Sequence, residues 1–325
     1  MTTTLITGGL GFIGSHLVDH LLARGERILV IDDLSTGRAD NLAHHAGHAD
    51  LDVRIDNVLN EVLVEDLVAQ SDRVFHLAAA VGVSLVASDP LRIHEANSAG
   101  TSVVLKACAN HQRPVLIAST SEVYGKSSAT PFSEDADLVL GPTTQRRWAY
   151  ACSKAMGEFL GRAYFTSHGL PVRIARVFNV AGPRQTGAYG MVIPRFVQQA
   201  LSGEPLTVYG DGSQVRCFCH AQEAVRAAAG LMDAPAAAGE VVNIGGTEQT
   251  TIMALAELVK ELAESTSPII RVPFEQAYAT KLDDIATREP DVGKLRRFVG
   301  SAPTRPLRDI VGDVIAHARR SRDKG

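Results

Sequence analysis

A tyrosine and a lysine stand four positions apart in the segment Tyr150–Lys154, which puts a phenol and an ammonium group on one face of a helix. A phenol with an ordinary pKa of ~10 is a poor base at neutral pH. A neighbouring cation favours the phenolate, and lowering that pKa to ~7 requires about 4 kcal/mol of differential stabilisation. The pair predicts a base that takes a proton from a substrate hydroxyl, although an exposed tyrosine with a nearby lysine on an ordinary helix has the same spacing.

Two hydroxyls and a carboxylate follow directly on a predicted strand, Pro114–Ser119. The carboxyl ends of parallel strands are where open α/β sheets bind ligands. Thr120 and Ser121 are placed to share a proton with Tyr150 and a substrate hydroxyl. Glu122 is a candidate general acid or base if burial raises its pKa. An equally good interpretation is that Glu122 caps a loop or pairs with a basic residue.

Three glycines, Gly8, Gly11 and Gly14, lie between the predicted strand Thr3–Thr7 and the predicted helix Phe12–Arg24. Glycines at this spacing permit a tight turn and allow backbone N–H groups to approach a diphosphate at the helix N-terminus. A glycine-rich turn alone would be weak evidence, but the strand before it and the helix after it are those of a dinucleotide site.

An acidic residue, Asp32, ends the second predicted strand 18 residues after Gly14. At this position a carboxylate accepts hydrogen bonds from an adenosine ribose and repels a 2′-phosphate. Arg38 lies nearby in sequence, but Asp32 and Asp33 precede it. The sequence therefore predicts NAD rather than NADP as the cofactor.

Strands and helices alternate through the first half of the chain, which predicts a doubly wound parallel sheet of the α/β class. The predicted strands, several of them continuous apolar runs, are Thr3–Thr7, Arg27–Asp32, Asp52–Ile55, Arg73–Leu77, Pro114–Ser119 and Val172–Phe178. The predicted helices are Phe12–Arg24, Glu61–Gln70, Pro90–His111 and Arg147–His168, followed by Val192–Leu201, Ala221–Met232 and Ile252–Glu264.

After Asn179 more loop residues separate the predicted helices and strands. This change predicts a dinucleotide-binding domain over residues 1–178 and a smaller substrate-binding lobe over 179–325. No Pro- or Ser-rich linker separates the two. One strand of the second half, Val241–Ile244, is expected to return to the main sheet.

Composition sets further limits on function. The chain has 325 residues, of which 45% are hydrophobic and 21% charged, and its net charge is −4, which is typical of a folded globular chain and not of a disordered one. No apolar run approaches the ~18 residues of a membrane span, and we expect neither a secretory signal nor nucleic-acid binding. The 4 unevenly spaced cysteines are typical of reduced thiols, so we expect a cytoplasmic protein.

Several motifs occur in a fixed order along the chain. They are Thr7-Gly-Gly-Leu-Gly-Phe-Ile-Gly14, His76-Leu-Ala-Ala79, Ser119-Thr-Ser-Glu-Val-Tyr-Gly125, Tyr150-x-x-x-Lys154, Arg176-Val-Phe-Asn179, Gly182-Pro-Arg184, Gly210-Asp-Gly-Ser-Gln-Val-Arg216 and Arg288-Glu-Pro-Asp291. In these motifs the chain resembles the extended short-chain dehydrogenase/reductase family, and within it the nucleotide-sugar epimerases, decarboxylases and dehydratases. The resemblance implies an extended Rossmann fold.

The resemblance also implies a first reaction step and the residues that support it. Tyr150 would take the proton of the sugar C4 hydroxyl while the C4 hydride moves to NAD⁺, with Thr120 as its hydroxyl partner and Lys154 on the nicotinamide ribose. The implied cofactor positions are Gly8, Gly11, Phe12, Ile13, Gly14, Asp32, Asp56, Asn57, Leu77, Ala78, Ala79, Tyr150 and Lys154. The implied substrate positions are Thr120, Ser121, Asn179, Arg184, Arg195, Arg216 and Arg288.

The fate of the 4-keto sugar depends on other residues. A dehydratase of this family would carry an Asp-Glu pair, and Ser121 at the first position argues against dehydration. Glu122 favours decarboxylation. Some uronate 4-epimerases hold the carboxylate with an arginine at the position of Thr186, a role that falls here to Arg195 if the contact exists.

We expect 4-epimerisation of a UDP-sugar, either UDP-glucuronate to UDP-galacturonate or UDP-glucose, because epimerases are common in this family. The alternative is a UDP-glucuronate decarboxylase that forms UDP-xylose. A second alternative, from another class, is an NAD-binding sensor or scaffold without turnover. The intact tyrosine, lysine and hydroxyl set argues against it.

No metal site is predicted. The segment Cys217-Phe-Cys219-His220 lacks the paired spacing of a zinc site and is interpreted as one alternating strand. His44, His45 and His48 are interpreted as a solvated cluster. The apolar stripes Val103–Cys108 and Phe159–Tyr164 are typical of helix core or of a dimer contact. A homodimer is expected from the resemblance.

Overall fold

Seven parallel strands form the largest sheet in the computed structural model, which describes residues 1–81, 90–187, 191–273, 276 and 287–322. The strands are β1 (Thr3–Thr7), β2 (Arg27–Asp32), β3 (Leu51–Ile55), β4 (Arg73–His76), β5 (Val115–Thr120), β6 (Val172–Val177), β7 (Val180–Ala181), β8 (Leu206–Tyr209), β9 (Val215–Cys217), β10 (Cys219–His220), β11 (Val241–Ile244), β12 (Gln249–Thr251), β13 (Ile269–Val272) and β14 (Thr287–Arg288). The order across the main sheet is β3-β2-β1-β4-β5-β6-β11, and every neighbouring pair in it is parallel.

Helices cover both faces of this sheet. They are α1 (Phe12–Ala23), α2 (Glu61–Ala69), α3 (Pro90–His94), α4 (Gly100–His111), α5 (Arg147–His168), α6 (Val192–Ser202), α7 (Ala221–Asp233), α8 (Ile252–Leu262), α9 (Gly293–Val299) and α10 (Leu307–Arg322). Side chains of α1, α7 and α9 share one apolar core with the strands, and those of α2, α4 and α5 share the other. The predicted doubly wound parallel sheet is therefore confirmed. Most residues of its central strands are buried because helices cover both faces of the sheet.

The predicted single helix over Pro90–His111 is interrupted. A π-helical turn, Glu95–Ala99, separates α3 from α4. Asn97 in this turn is buried, and its side chain accepts a hydrogen bond from Ala80 N at 2.8 Å and donates to Ala80 O and to Ser153 Oγ. These tertiary hydrogen bonds stabilise the wider π-helical turn. The spacing of apolar residues in the sequence does not predict them.

The second half adds small sheets beside the main one, in the orders β12-β9-β14, β10-β7 and β13-β8. Apolar side chains of α6, α8 and α10 form a separate core there. The predicted return of Val241–Ile244 to the main sheet is confirmed, since β11 pairs with β6. The prediction of a single strand over Cys217–His220 is wrong. The chain divides at Phe218 because β9 pairs with β12 and β14, whereas β10 pairs with β7.

Among the described residues, no helix combines the length and the apolarity that crossing a membrane requires.

Candidate active site

The glycine loop packs tightly against the end of β4. Gly8 has φ +74°, and a Cβ at this position would lie 2.8 Å from Ala78 N. A Cβ at Gly14 would lie 2.1 Å from Gly8 O, which no side chain could tolerate. No side chain caps the start of α1 at Gly11. The loop can therefore bring backbone N–H groups and the positive helix end against a diphosphate, as the sequence predicts.

Asp32 is buried at the end of β2. Its carboxylate accepts hydrogen bonds from Leu10 N at 2.9 Å and Leu34 N at 2.8 Å, and burial raises its pKa. Arg38 is exposed and pairs with Asp40 at 3.3 Å. The acidic group is therefore fixed beside the glycine loop while the nearby arginine faces solvent, which suits NAD better than a 2′-phosphorylated dinucleotide.

Two more predicted cofactor positions, Asp56 and Asn57, follow directly on β3 at the same edge of the sheet. The Asn57 backbone N–H donates to the Asp56 carboxylate at 2.7 Å. The Asn57 side chain donates from Nδ2 to Asp33 at 2.9 Å. These hydrogen bonds hold the turn after β3 beside the end of β2, where the adenosine of a dinucleotide is expected.

Residues 77–79, also predicted to contact the cofactor, follow β4 and lie against the glycine loop. Leu77 N donates to Thr7 O at 3.1 Å. Ala78 N donates to Thr7 Oγ1, also at 3.1 Å. On the other side of the loop, the predicted positions Phe12 and Ile13 begin α1. The structure thus brings these predicted cofactor positions together around the loop.

A buried hydrogen-bond chain behind this loop was not found from the sequence. Thr7 Oγ1 lies 2.8 Å from His76 Nδ1, and His76 Nε2 lies 3.0 Å from Thr101 Oγ1, which donates to Asn97 O at 2.6 Å. Burial lowers the pKa of His76 to about 3, so the ring is neutral. Because Thr101 donates onward, the ring proton belongs on Nε2. In the sequence, the signal for this chain of hydrogen bonds was the histidine that begins the motif His76-Leu-Ala-Ala79.

Tyr150 and Lys154 lie on α5, and the nearby Thr120 side chain acts to lower the pKa of the Tyr150 phenol. Burial, together with the charge of Glu122, raises the pKa of Tyr150 above its usual range, against the lowered value expected from the sequence. Burial also lowers the pKa of Lys154 to about 8. The Lys154 ammonium donates to Ala118 O at 2.9 Å, so in this state it supports the end of β5 rather than the phenol.

Several arginine side chains surround Glu122. It forms an ion pair with Arg288, and Arg147 Nη2 lies 3.5 Å from its other oxygen. Burial opposes ionisation of Glu122, but the charges of Arg288, Arg147 and Arg216 outweigh it and lower the pKa. In this structure Glu122 is paired with basic residues, which is one of the two interpretations left open by the sequence, and its role as a general acid or base stays a prediction.

Two of the predicted substrate arginines are neighbours on a small sheet. Arg216 of β9 lies opposite Arg288 of β14 in a parallel register. Asn179 has φ +35°, and its Nδ2 donates to Cys217 O at 2.9 Å, at the end of β9. The structure therefore brings Asn179, Arg216 and Arg288 onto adjoining segments, with Arg288 directed at Glu122.

The other two predicted substrate arginines are engaged elsewhere. Arg184 Nη2 donates to Asp19 of α1 at 2.6 Å. Arg195 Nη2 donates to Thr207 O at 3.1 Å, and its guanidinium carbon lies 3.9 Å from the centre of the Tyr209 ring. These contacts belong to the packing of α1 and β8, so a role in holding the substrate stays a prediction for both arginines.

Arg147 is a site residue that the sequence analysis missed. It begins α5 three residues before Tyr150, a spacing that places the two side chains on neighbouring positions of one helix face. Its guanidinium carbon lies 5.4 Å from the centre of the Trp148 ring. The spacing to Tyr150 was the available signal, but Glu122 as its partner could not be read from it.

A parallel dinucleotide-binding sheet with a tyrosine, a lysine and hydroxyls at its carboxyl edge defines an NAD-dependent enzyme of the short-chain dehydrogenase/reductase type. Residues 4–245 match the NAD dependent epimerase/dehydratase family, and the chain belongs to that family. The predicted family, fold and cofactor are thereby confirmed.

Relatives within the family include both decarboxylases and epimerases. The chain is 42% identical to UDP-N-acetyl-alpha-D-glucosaminuronate decarboxylase of Bacillus cytotoxicus over 295 residues, 90% of each chain. It is 35% identical to UDP-glucuronic acid decarboxylase 1 of Danio rerio over 316 residues, 97% of this chain and 72% of the relative. The solved UDP-glucuronic acid 4-epimerase of Bacillus cereus, in complex with UDP-glucuronic acid and NAD, is 27% identical with a TM-score of 0.88, over 98% of this chain and 99% of that one.

Proposed function

We propose that the protein is an NAD-dependent decarboxylase of a UDP-linked hexuronate, which was the alternative and not the main expectation from the sequence. The observation that carries the proposal is the position of Glu122, held by Arg288 and Arg147 beside the catalytic tyrosine. The decarboxylase names of the relatives at 42% and 35% identity support it. The 4-epimerase similarity keeps epimerisation as the second candidate.

The charge arrangement favours loss of CO₂ over epimerisation. Oxidation at C4 turns a uronate into a β-keto acid, whose carboxylate becomes neutral CO₂ as the C5–C6 bond breaks. A cation that grips the carboxylate stabilises the ground state more than the transition state, and slows this step. Here Arg288 and Arg147 face a protein carboxylate instead. An epimerase has the opposite requirement, because it must retain the carboxylate.

The residues of this chain supply the proton transfers. NAD, when bound, would accept the C4 hydride and return it after CO₂ has left. Gly8, Gly14 and Asp32 would hold it, as their close packing allows. Tyr150 takes the proton of the C4 hydroxyl, and the Thr120 hydroxyl, which acts to lower the pKa of the phenol, would donate a hydrogen bond to the phenolate.

Glu122 is the proposed proton donor to C5. By the family resemblance, Arg288 stands where a diphosphate is gripped, so a bound UDP-sugar would compete with Glu122 for it. Loss of that cation removes the charge that contributes most to keeping Glu122 ionised. The carboxyl can then hold a proton, with Arg147 still beside it, and deliver that proton to the carbon that has lost CO₂.

The direct test is incubation of the purified protein with NAD and either UDP-glucuronate or UDP-N-acetylglucosaminuronate, followed by mass spectrometry and NMR of the sugar. A product lighter by CO₂ is expected. An unchanged mass with a galacto pattern would overturn decarboxylation in favour of 4-epimerisation. No product with either substrate, despite bound NAD, would favour the sensor or scaffold. Tyr150→Phe is the control and should bind NAD but form no product.

The remaining expectations are also proposals. Residues 1–178 are proposed to bind NAD and residues 179–325 the nucleotide sugar. The 4 cysteines are unpaired thiols, which supports a reducing compartment such as the cytoplasm. A homodimer is proposed through α4 and α5.

A further inference from the structure

One carboxylate and two imidazoles converge on the outer side of α1. The Nε2 atoms of His44 and His45 each lie 2.8 Å from Asp19 Oδ1, and the three candidate ligand atoms all lie within 4.8 Å of one another. His44 and His45 end the 3-10 turn Ala39–His45, whose Leu42 side chain is buried. This set, Asp19, His44 and His45, is separate from the residues assigned to catalysis.

The convergence of the two histidines is unusual for their spacing. Consecutive residues of a 3-10 turn project about 120° apart, so their side chains normally diverge. Here both rings turn to the same oxygen, and their centroids lie 4.1 Å apart. Two imidazole nitrogens and one carboxylate oxygen are a common ligand set for Zn²⁺ and leave a fourth tetrahedral position for water.

We propose that Asp19, His44 and His45 bind one divalent transition-metal ion, with Zn²⁺ as the probe of choice. Ligands of a tetrahedral zinc ion lie about 3.4 Å apart, given metal–ligand distances of about 2.1 Å. The 2.8 Å contacts therefore need only a small outward movement of the rings. Nitrogen ligands select against Mg²⁺ and Ca²⁺, which prefer oxygen.

Arg184 supports the site from the other side of the carboxylate. It donates to Asp19 Oδ2 at 2.6 Å, which leaves Oδ1 directed at the imidazoles and fixes the orientation of the carboxylate. Partners that orient a ligand in this way are typical of metal sites. A bound ion would thus join the turn Ala39–His45 to α1, which Arg184 already contacts through Asp19. The proposal does not depend on the reaction that the enzyme catalyses.

The test is calorimetric titration of the chelator-treated full chain with Zn²⁺, with Mg²⁺ as a second probe. Saturation at one Zn²⁺ per chain is expected, with no heat from Mg²⁺. His44→Ala and Asp19→Asn should each weaken the affinity by at least about 100-fold. The matched control is His111→Ala, because His111 pairs with Glu65 at 2.9 Å without a second imidazole in the contact.

Absorption of the Co²⁺-loaded protein provides a second measurement, since tetrahedral Co²⁺ gives visible bands that surface binding does not. Circular dichroism establishes that each variant is folded. The proposal is wrong if the wild-type chain shows no saturable Zn²⁺ binding, if His44→Ala and Asp19→Asn bind as the wild type does, or if His111→Ala weakens binding equally.

Discussion

At Glu122 two arginines meet one carboxylate, and the side chain is only 21% exposed. Its ionisation depends on cations that come from different parts of the chain, Arg147 at the start of α5 and Arg288 on β14. A residue controlled in this way can change its protonation when one cation is withdrawn. The chemistry proposed for the site depends on that property.

Glu122→Gln tests this role because glutamine keeps the size of the side chain but cannot ionise or donate a carboxyl proton. We expect CO₂ release to fall by about 100-fold or more, in the range of general acid–base contributions, while NAD binding is unchanged. CO₂ release is measured directly, and NAD binding is measured separately by calorimetric titration of the variant with NAD. Glu61→Gln, which alters an exposed pair with Lys106, is the control. Full activity of Glu122→Gln would contradict the proposed role.

Lys154→Met tests the cost of burying a cation. The pKa of Lys154 is lowered from 10.5 to about 8, so between these values the unfolded chain binds more protons, and this residue makes stability rise with pH. Below pH 8 the buried charge costs up to about 3 kcal/mol. Lys154→Met should therefore be more stable than the wild type at pH 7, with the difference in stability shrinking toward pH 10.5. It should also be inactive, because it lacks the ammonium group expected on the nicotinamide ribose. Urea denaturation across this range measures the difference in stability, and a pH-independent difference would contradict the argument.

At the scale of elements, α5 is joined to the sheet by a buried ion pair. Arg176 of β6 and Glu158 of α5 are 4% and 5% exposed, and Arg176 Nη2 lies 2.7 Å from Glu158 Oε2. Ser119 of β5 also donates to Glu158. The helix that carries Tyr150 and Lys154 is thus fixed to two strands by polar contacts as well as by apolar packing.

Glu158→Gln should destabilise the protein by about 3–5 kcal/mol, because Arg176 would keep a buried charge without a counterion. Glu61→Gln breaks an exposed pair, in which both side chains are more than 60% exposed, and should cost about 0–1 kcal/mol. Chemical denaturation of both variants gives the comparison. Equal losses would show that burial does not determine the value of the pair at Glu158.

The sequence predicts the strands better than the interruptions. Thr3–Thr7 and Arg27–Asp32 have the predicted bounds, and Arg27–Asp32 contains the continuous apolar run Ile28–Ile31 that marks a buried parallel strand. The π-helical turn around Asn97 was missed because it is stabilised by tertiary hydrogen bonds, which do not alter the spacing of apolar residues in the sequence. For the same reason the pairing of Glu122 with Arg288 was not singled out, since the two residues lie far apart in sequence and only the folded chain brings them together.

At the scale of the whole molecule, α5 presents apolar side chains to solvent. Met156 is 55% exposed and Phe159 is 68% exposed, one turn apart on the helix. Exposed apolar side chains of this kind are typical of contact surfaces. They agree with the homodimer proposed from the family resemblance.

Phe159→Glu should convert the dimer to monomers, because a buried unpaired carboxylate at the contact is costly. Val62→Glu on α2 is the matched control, since Val62 is 82% exposed and lies on a different helix. Sedimentation velocity at several concentrations measures both. A wild-type monomer, or a Phe159→Glu dimer, would contradict this arrangement.

One of the two edge strands of the main sheet, β11, lies far along the chain from its neighbour β6 and comes from the second half of the sequence. During synthesis on the ribosome, the edge of β6 that pairs with β11 therefore stays without its partner strand until residue 244 has emerged. An open edge of a buried strand recruits other chains. We expect a fragment ending at residue 178 to aggregate on expression, because it lacks the strand that covers the edge of β6.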